Sequence, residues 1–277
     1  MSGLASLLHR LRRRSGFGRP AGPPVGLVLS GGAVRGAAHL GVLEVLHREG
    51  VKIDRIAGTS VGALVGAAYA AGARPAEILE EFRKARWLSI GRPRLDLDFR
   101  GLLDSVPLER LLRERFGLTT FAALEIPFRA VALDIGAGER VVLEEGDVAR
   151  AVLASAAMVG LFSPVEIEGG QLIDGGYVDN LPVGEVRAMG ARTVIAVDLL
   201  ADPVGPEGPD NVVEIWQRLL FLLIRAAQPI PDDVDVLIRP ELRGFSYVDF
   251  DEVDELYERG RRAAEEALPK LREALGR

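Results

Sequence analysis

Two short apolar runs near the start of the chain, Val25–Leu29 and Ile53–Ala57, each break at glycine and pass into a helical pattern. The first breaks at Ser30-Gly31-Gly32 and leads to His39–Arg48, where Leu40, Leu43, Val45 and Leu46 recur at helical spacing and Gly50 ends the pattern. The second breaks at Gly58-Thr59-Ser60-Val61-Gly62 and leads to the small-residue helix Val61–Ala71. A strand that is apolar along its whole length has to be buried on both faces, and a helix after each strand is the connection that parallel pairing needs. The alternation therefore predicts an α/β chain of three layers, α/β/α, around a mostly parallel central sheet.

The rest of the pattern keeps that rhythm. Helices are expected over Pro75–Trp87, Pro107–Phe116, Val148–Ala157 and Val212–Ala227, and strands over Arg129–Asp134, Arg140–Glu144, Leu172–Ile173, Thr193–Leu199 and Val236–Arg239. A single long helix, Glu252–Leu275, is expected to close the chain with Leu256, Ala263, Ala267 and Leu271 inward. Gly91–Gly101 and Asp202–Asn211, rich in Pro, Gly and Asp, read as loops.

Composition narrows the function classes. With 277 residues, 48% of them hydrophobic, the chain can bury one large core. A formal net charge of −6 argues against a general nucleic-acid binder. The absence of cysteine removes disulfides, thiolate metal sites and cysteine nucleophiles together, and fits a reducing cytoplasm. No run of about 20 apolar residues predicts a membrane-spanning helix. Residues 1–24 carry Arg10, Arg12, Arg13, Arg14 and Arg19 before a Pro/Gly stretch, without the apolar core of a signal peptide. They read as a basic flexible tail ahead of one domain over residues 25–277. Leu4, Leu7, Leu8 and Leu11 at helical spacing keep open a second reading, a basic amphipathic anchor for peripheral contact with an anionic membrane.

The chemistry-bearing motif is Gly58-Thr59-Ser60-Val61-Gly62, a G-x-S-x-G between strand and helix. A sharp strand-to-helix turn holds the serine hydroxyl out, and Gly58 and Gly62 let neighbouring backbone pass without a Cβ clash. The hydroxyl also sits at the positive end of the following helix, which favours developing negative charge. Such a serine needs a base. The three histidines, His9, His39 and His47, all precede it, so the order serine, acid, histidine of an α/β-hydrolase is impossible. His39 reads as a packing or capping residue, and His47 falls on a polar helix position. The base is then a carboxylate acting alone. Asp174 is the candidate, at the end of an apolar strand and followed by Gly175 and Gly176. Taken alone, Asp-Gly also reads as an ordinary turn.

Gly31, Gly32, Ala33, Val34, Arg35 and Gly36 form the third element, a glycine-rich stretch of backbone N–H groups where an oxyanion hole would lie. A dinucleotide fingerprint would want glycine where Ala33 stands, although Asp54 about 20 residues on keeps that reading open.

Together these segments resemble the patatin-like phospholipase family. The resemblance is carried by Leu29–Leu43 (LSGGAVRGAAHLGVL), Ile56–Leu64 (IAGTSVGAL), Ala154–Val165 (ASAAMVGLFSPV) and Ile173–Val183 (IDGGYVDNLPV), with Val236–Phe250 and Gly260–Ala264 as closing strand and helix. It spans residues 25–275. It implies a Ser–Asp dyad without histidine, Ser60 as nucleophile and Asp174 as proton acceptor. It also implies an oxyanion hole at Gly31–Gly36, with Arg35 in its basic position. The expected reaction is hydrolysis of phospholipid or other fatty-acyl esters through an acyl-enzyme, with no metal or other cofactor. Two departures stand out. Ala33 replaces a glycine and is tolerable there only with negative φ. Met158-Val159 replaces Ile-Pro, which is expected to loosen that turn. A non-catalytic lipid- or protein-binding module of the same fold is the alternative the altered loop leaves open.

For a fatty-acyl substrate, Trp87, Leu88, Ile90, the loop to Leu103 and the helix Val212–Ala227 are the candidate walls. That helix, apolar around its circumference, also reads as a core or subunit-contact helix.

Overall fold

The structure, a computed structural model, describes residues 23–93, 101–200, 212–227 and 232–277. The tail expected over residues 1–24, apart from its last two residues, lies outside these, as do the expected loop after Leu200 and residues 94–100.

Eight strands make one sheet. In chain order they are β1 (Val25–Leu29), β2 (Arg55–Thr59), β3 (Phe128–Asp134), β4 (Glu139–Leu143), β5 (Val165–Ile167), β6 (Gly170–Asp174), β7 (Thr193–Val197) and β8 (Val236–Ile238). The succession β8–β7–β1–β2–β3 is parallel throughout. Beyond it β4, β6 and β5 are antiparallel additions, so the sheet is mostly parallel with an antiparallel flank.

The helices are α1 (Ala37–Arg48), α2 (Val61–Ala70), α3 (Pro75–Lys84), α4 (Val106–Phe116), α5 (Val148–Ser155), α6 (Val183–Ala188), α7 (Val212–Ala227), α8 (Val253–Glu266) and α9 (Leu268–Ala274), with a short helical turn at Trp87–Ile90. Alternate residues of the sheet feed two layers of unequal size. Leu27, Leu29, Ile56 and Ile195 join the large core under α1, α2, α5 and α8. Val28, Ala57 and Ala196 meet α6 through Val183 and Val186 on the other face.

Helix α8 reaches α1 without intervening side chains. A Cβ on Gly41 would lie 2.0 Å from the Tyr257 carbonyl, and one on Gly260 would lie 1.9 Å from that of Ala38. The single closing helix expected over Glu252–Leu275 is two helices. Pro269 stands in the first turn of α9, where its missing N–H costs nothing and its ring ends α8. Within α8, Ala264 rather than Ala263 is buried. Strand β5 has no counterpart among the expected elements; Val-Glu-Ile is too short for a period to show. The loop expected at Gly91–Gly101 contains a two-residue strand, Arg92–Pro93, paired with Leu103–Asp104. Among the described residues, no helix is long and apolar enough to cross a membrane.

One feature of the sheet positions the site. On one edge β3 is paired with β4 over residues 130–134. Its other edge is shared: β2 takes residues 128–131 and β6 takes residues 132–134. Thr59 stands opposite Val131 and Asp174 opposite Ala132, so β2 and β6 run toward each other and meet end to end.

Candidate active site

Ser60 occupies the turn from β2 into α2 with φ 56° and ψ −125°, a region that costs an L-residue of order 1–3 kcal/mol. The surrounding backbone holds it there. A Cβ on Gly62 would come within 2.1 Å of the Leu29 carbonyl oxygen, and one on Gly58 within 2.4 Å of that of Gly62. Only glycine lets β1, the turn and α2 pass at these distances. The Ser60 N–H donates to the Ser155 hydroxyl at 3.0 Å, which donates in turn to the Val131 carbonyl at 2.6 Å. Ser155, at the end of α5, thereby fills the gap in the ladder where β2 stops.

From the opposing strand end, Asp174 presents its carboxylate. The Ser60 hydroxyl donates to Asp174 Oδ2 at 2.7 Å, across 114 residues of sequence. Oδ1 accepts the Gly176 N–H at 2.8 Å, so Asp174 caps the short helical turn Gly175–Tyr177 and that turn orients the carboxylate. Gly175 has no room for a side chain, since its Cβ would meet the Val131 oxygen at 2.2 Å. Burial raises the Asp174 pKa from 3.8 to about 6, against the lowering pull of the hydrogen bonds from Ser60 and Gly176. Tyr177 beside it is raised too, first by burial and then by the Asp174 charge.

The loop after β1 divides into parts with different neighbours. The Gly31 N–H meets Asn180, at 3.1 Å to Oδ1 and 3.3 Å to the main-chain oxygen. Val34 N–H donates to the Tyr247 carbonyl and Arg35 N–H to Gly32. Among the described residues, the N–H groups of Gly32 and Ala33 donate to no protein acceptor, and both residues border the cavity beside Ser60. The Arg35 guanidinium lies 3.7 Å over the Tyr247 ring and donates to the Phe245 carbonyl at 2.8 Å. It faces the closing segment of the chain. Gly36 packs against Val61, whose Cγ2 a Cβ would meet at 2.2 Å. Ala33 has φ 51°, not the negative φ that its side chain prefers.

His39 is buried in α1 with Nε2 2.8 Å from the Ser30 carbonyl. Burial takes its pKa down to about 4, so it is neutral at pH 7 and braces the loop from behind. Exposed His47 has no part here. Asp54 sits at the other end of the sheet, where it accepts the Val25 N–H and pairs with Lys52. That position removes the dinucleotide reading, which needs an acid at the carboxyl ends of the strands.

Two cavities meet at Ser60, with Ala33 and Met158 common to both. The larger, about 110 Å³, is walled by Val61, Leu64, Ile78, Phe82, Leu111 and Phe162 among others, with Glu81 its one charged residue. The smaller holds Asp174, Tyr177 and Asn180 and is closed by Leu220, Phe221 and Ile224 of α7. Of the walls expected from sequence, Ile90 and α7 border these cavities. The side chains of Trp87, Leu88 and Trp216 lie outside the described residues.

The family model "Patatin-like phospholipase" matches residues 27–187. The chain belongs to the patatin-like phospholipase family. This is a family of carboxylic ester hydrolases, and the two motif segments that face each other here, around Ser60 and Asp174, both fall inside the match. Among curated relatives, the lysophospholipase NTE1 of Coccidioides immitis is 32% identical across 95% of this chain. That of Mycosarcoma maydis is 34% identical across 87%. The chain spans only 18% and 12% of their respective lengths. Of solved structures, VipD from Legionella pneumophila superposes with a TM-score of 0.53 at 13% identity, covering 93% of this chain and 73% of that one, and shares its fold.

Against the family pattern, Met158-Val159 does not simply loosen its turn. The Val159 N–H, which proline would lack, donates to the Tyr177 hydroxyl at 3.3 Å and ties the turn to the Asp174 loop. Ser155 and Asn180 were not singled out from sequence. Both lie inside the motif segments quoted above, and nothing local distinguishes a hydroxyl in a small-residue helix from one that bridges two strand ends.

Proposed function

We propose that this chain is a serine hydrolase of fatty-acyl lipid esters that works through a Ser60–Asp174 dyad. The observation that carries the proposal is the 2.7 Å hydrogen bond from the Ser60 hydroxyl to a buried carboxylate whose pKa is raised to about 6. Such a carboxylate is ionised at neutral pH yet basic enough to take a proton. As Ser60 Oγ attacks the ester carbonyl, its proton passes to Asp174 Oδ2. The tetrahedral oxyanion is met by the Gly32 and Ala33 N–H groups, and the proton then goes to the departing alcohol. Water, deprotonated by the same aspartate, cleaves the acyl-enzyme and restores the dyad.

A single-chain acyl ester, as in a lysophospholipid, suits one apolar cavity for the chain and a second, more polar one for the leaving group. The relatives' names point the same way. Peripheral contact with membrane lipid would deliver such a substrate.

The test is labelling with a fluorophosphonate probe and hydrolysis of p-nitrophenyl esters by wild type, Ser60→Ala and Asp174→Asn. Labelling is expected to vanish in Ser60→Ala, and hydrolysis to fall by roughly 10³-fold or more in both. Labelling that persists in Ser60→Ala removes the proposal. The non-catalytic alternative, favoured by the left-handed Ala33, predicts neither labelling nor hydrolysis in the wild type.

A further inference from the structure

Helix α7 is apolar on two faces with different surroundings. Leu220, Phe221 and Ile224 turn inward and close the smaller cavity, and Phe221 stacks on Tyr247 with ring centroids 3.7 Å apart. Ile215, Leu219, Leu222 and Leu223, spaced as one helical stripe, point outward and are 46–55% exposed. Two more segments at the cavities show the same combination. Met158 borders both cavities while its neighbour Val159 is exposed. Leu102 and Val106 are exposed on either side of Leu103, which is buried against Phe162 in the wall of the larger cavity. Of the eight exposed large hydrophobics among the described residues, only Ile135 belongs to none of these segments.

We infer that the outer face of α7, with Val159 and Leu102, is a docking surface for a phospholipid bilayer. The inference rests on the lipid-hydrolase reading for its choice of surface and on the distribution of exposed side chains for its place. Scattered exposed hydrophobics are ordinary, but concentration at the rim of an apolar cavity is not. A bilayer on this face would present acyl chains to the helix that closes the smaller cavity, whereas a soluble protein would present none. Arg218 and Arg225, two turns apart, flank the stripe on one side. Both already take part in interactions within the protein, so the apolar stripe rather than its charges carries the docking. Docking would bring the lipid against the same helix whose inner face closes the site.

Vesicle flotation tests this directly. Phosphatidylcholine vesicles are mixed with the Ser60→Ala protein, so that no lipid is consumed. The comparison adds to that background either Leu219→Ser/Leu222→Ser/Leu223→Ser or the control Ile135→Ser. The triple change is expected to weaken vesicle partition on the order of tenfold or more, with the control unchanged. Introduced without Ser60→Ala, the triple change is expected to keep hydrolysis of soluble p-nitrophenyl butyrate, which also shows that the protein folds. Docking at this face is overturned if the Ser60→Ala protein does not float, if the triple variant floats equally well, or if light scattering shows the triple change dissociating a dimer while vesicle binding persists. If flotation is lost as expected but no ester is hydrolysed by the wild type, the docking surface stands and the catalytic proposal falls.

Discussion

The turns after β1 and β2 look alike in sequence and do different work. Each leaves a buried parallel strand through serine and glycine, and each holds one non-glycine residue at positive φ, Ala33 at 51° and Ser60 at 56°. At Ser60 the conformation presents a side chain, so glycine could not take its place. The surrounding Gly58, Gly62 and Ser155 fix it from three directions. At Ala33 the conformation presents a main-chain N–H, and the methyl group has no hydrogen-bonding role. Strain is therefore intrinsic to the first site and incidental to the second. Substitutions on the two turns should separate these cases.

The largest effect is expected on the Ser60 side. Gly62→Ala would put a methyl 2.1 Å from the Leu29 oxygen and push β1 and α2 apart. A stability loss of roughly 3 kcal/mol or more, read by urea denaturation, should accompany loss of fluorophosphonate labelling. Unchanged stability would mean that the two turns do not pack as described.

Asp174 gives the next largest effect, and its sign is informative. Its pKa in the folded chain, about 6, lies above the ordinary 3.8, so the folded state holds this proton more tightly than the unfolded one. Stability from this group is fully present below about pH 4, falls between pH 4 and 6, and stays reduced above, by up to about 3 kcal/mol. Asp174→Asn should therefore be more stable than wild type at pH 8, and the gap should close as pH is lowered to 4. For the wild-type enzyme kcat/KM should drop about tenfold per pH unit below about 6, as the base becomes protonated. A flat profile between pH 4 and 7 would contradict the assignment.

Ser155→Ala should be smaller in scale. It leaves the buried Ser60 N–H and Val131 carbonyl without their shared partner, which costs about 1–3 kcal/mol. Ser155→Thr keeps the hydroxyl and should restore activity in part, which a merely space-filling residue would not do. The smallest effect should come from Ala33→Gly. Relief of the left-handed strain, about 1–2 kcal/mol, is partly offset by about 0.4–1 kcal/mol of added freedom in the unfolded chain. Stability should rise slightly or stay level, with hydrolysis equal or faster. A clear loss of activity would show that the Ala33 methyl shapes the cavity it borders.

Much of this was legible in the sequence because the relevant forces are local. Apolar strands, the glycines around Ser60 and the helices after each turn depend on neighbours a few residues away, and their bounds differ from expectation by at most two residues. The opposition of Ser60 and Asp174 followed from where histidine is absent and from the family resemblance. What remained hidden depends on distant partners. Ala33 takes a positive φ just before Val34, whose N–H donates to the Tyr247 carbonyl far along the chain. The hydroxyl of Ser155 matters because of where β2 ends. The Met158-Val159 turn gains its tie from Tyr177, 18 residues on. Helix α7 could not be assigned to core or surface from its composition, because it serves both.

The end-to-end meeting of β2 and β6 on one edge of β3 makes the dyad a gauge of strand alignment. Side chains alternate faces along a strand, so sliding β6 by a single residue against β3 would turn Asp174 to the far side of the sheet. Every residue could then remain buried in a strand while the nucleophile lost its base. If hydrolysis runs through this pair as proposed, it reports that two segments 114 residues apart have found one common alignment. Under the proposed mechanism a misaligned chain would be silent rather than weak, so loss of hydrolysis would reveal a slip that burial alone does not.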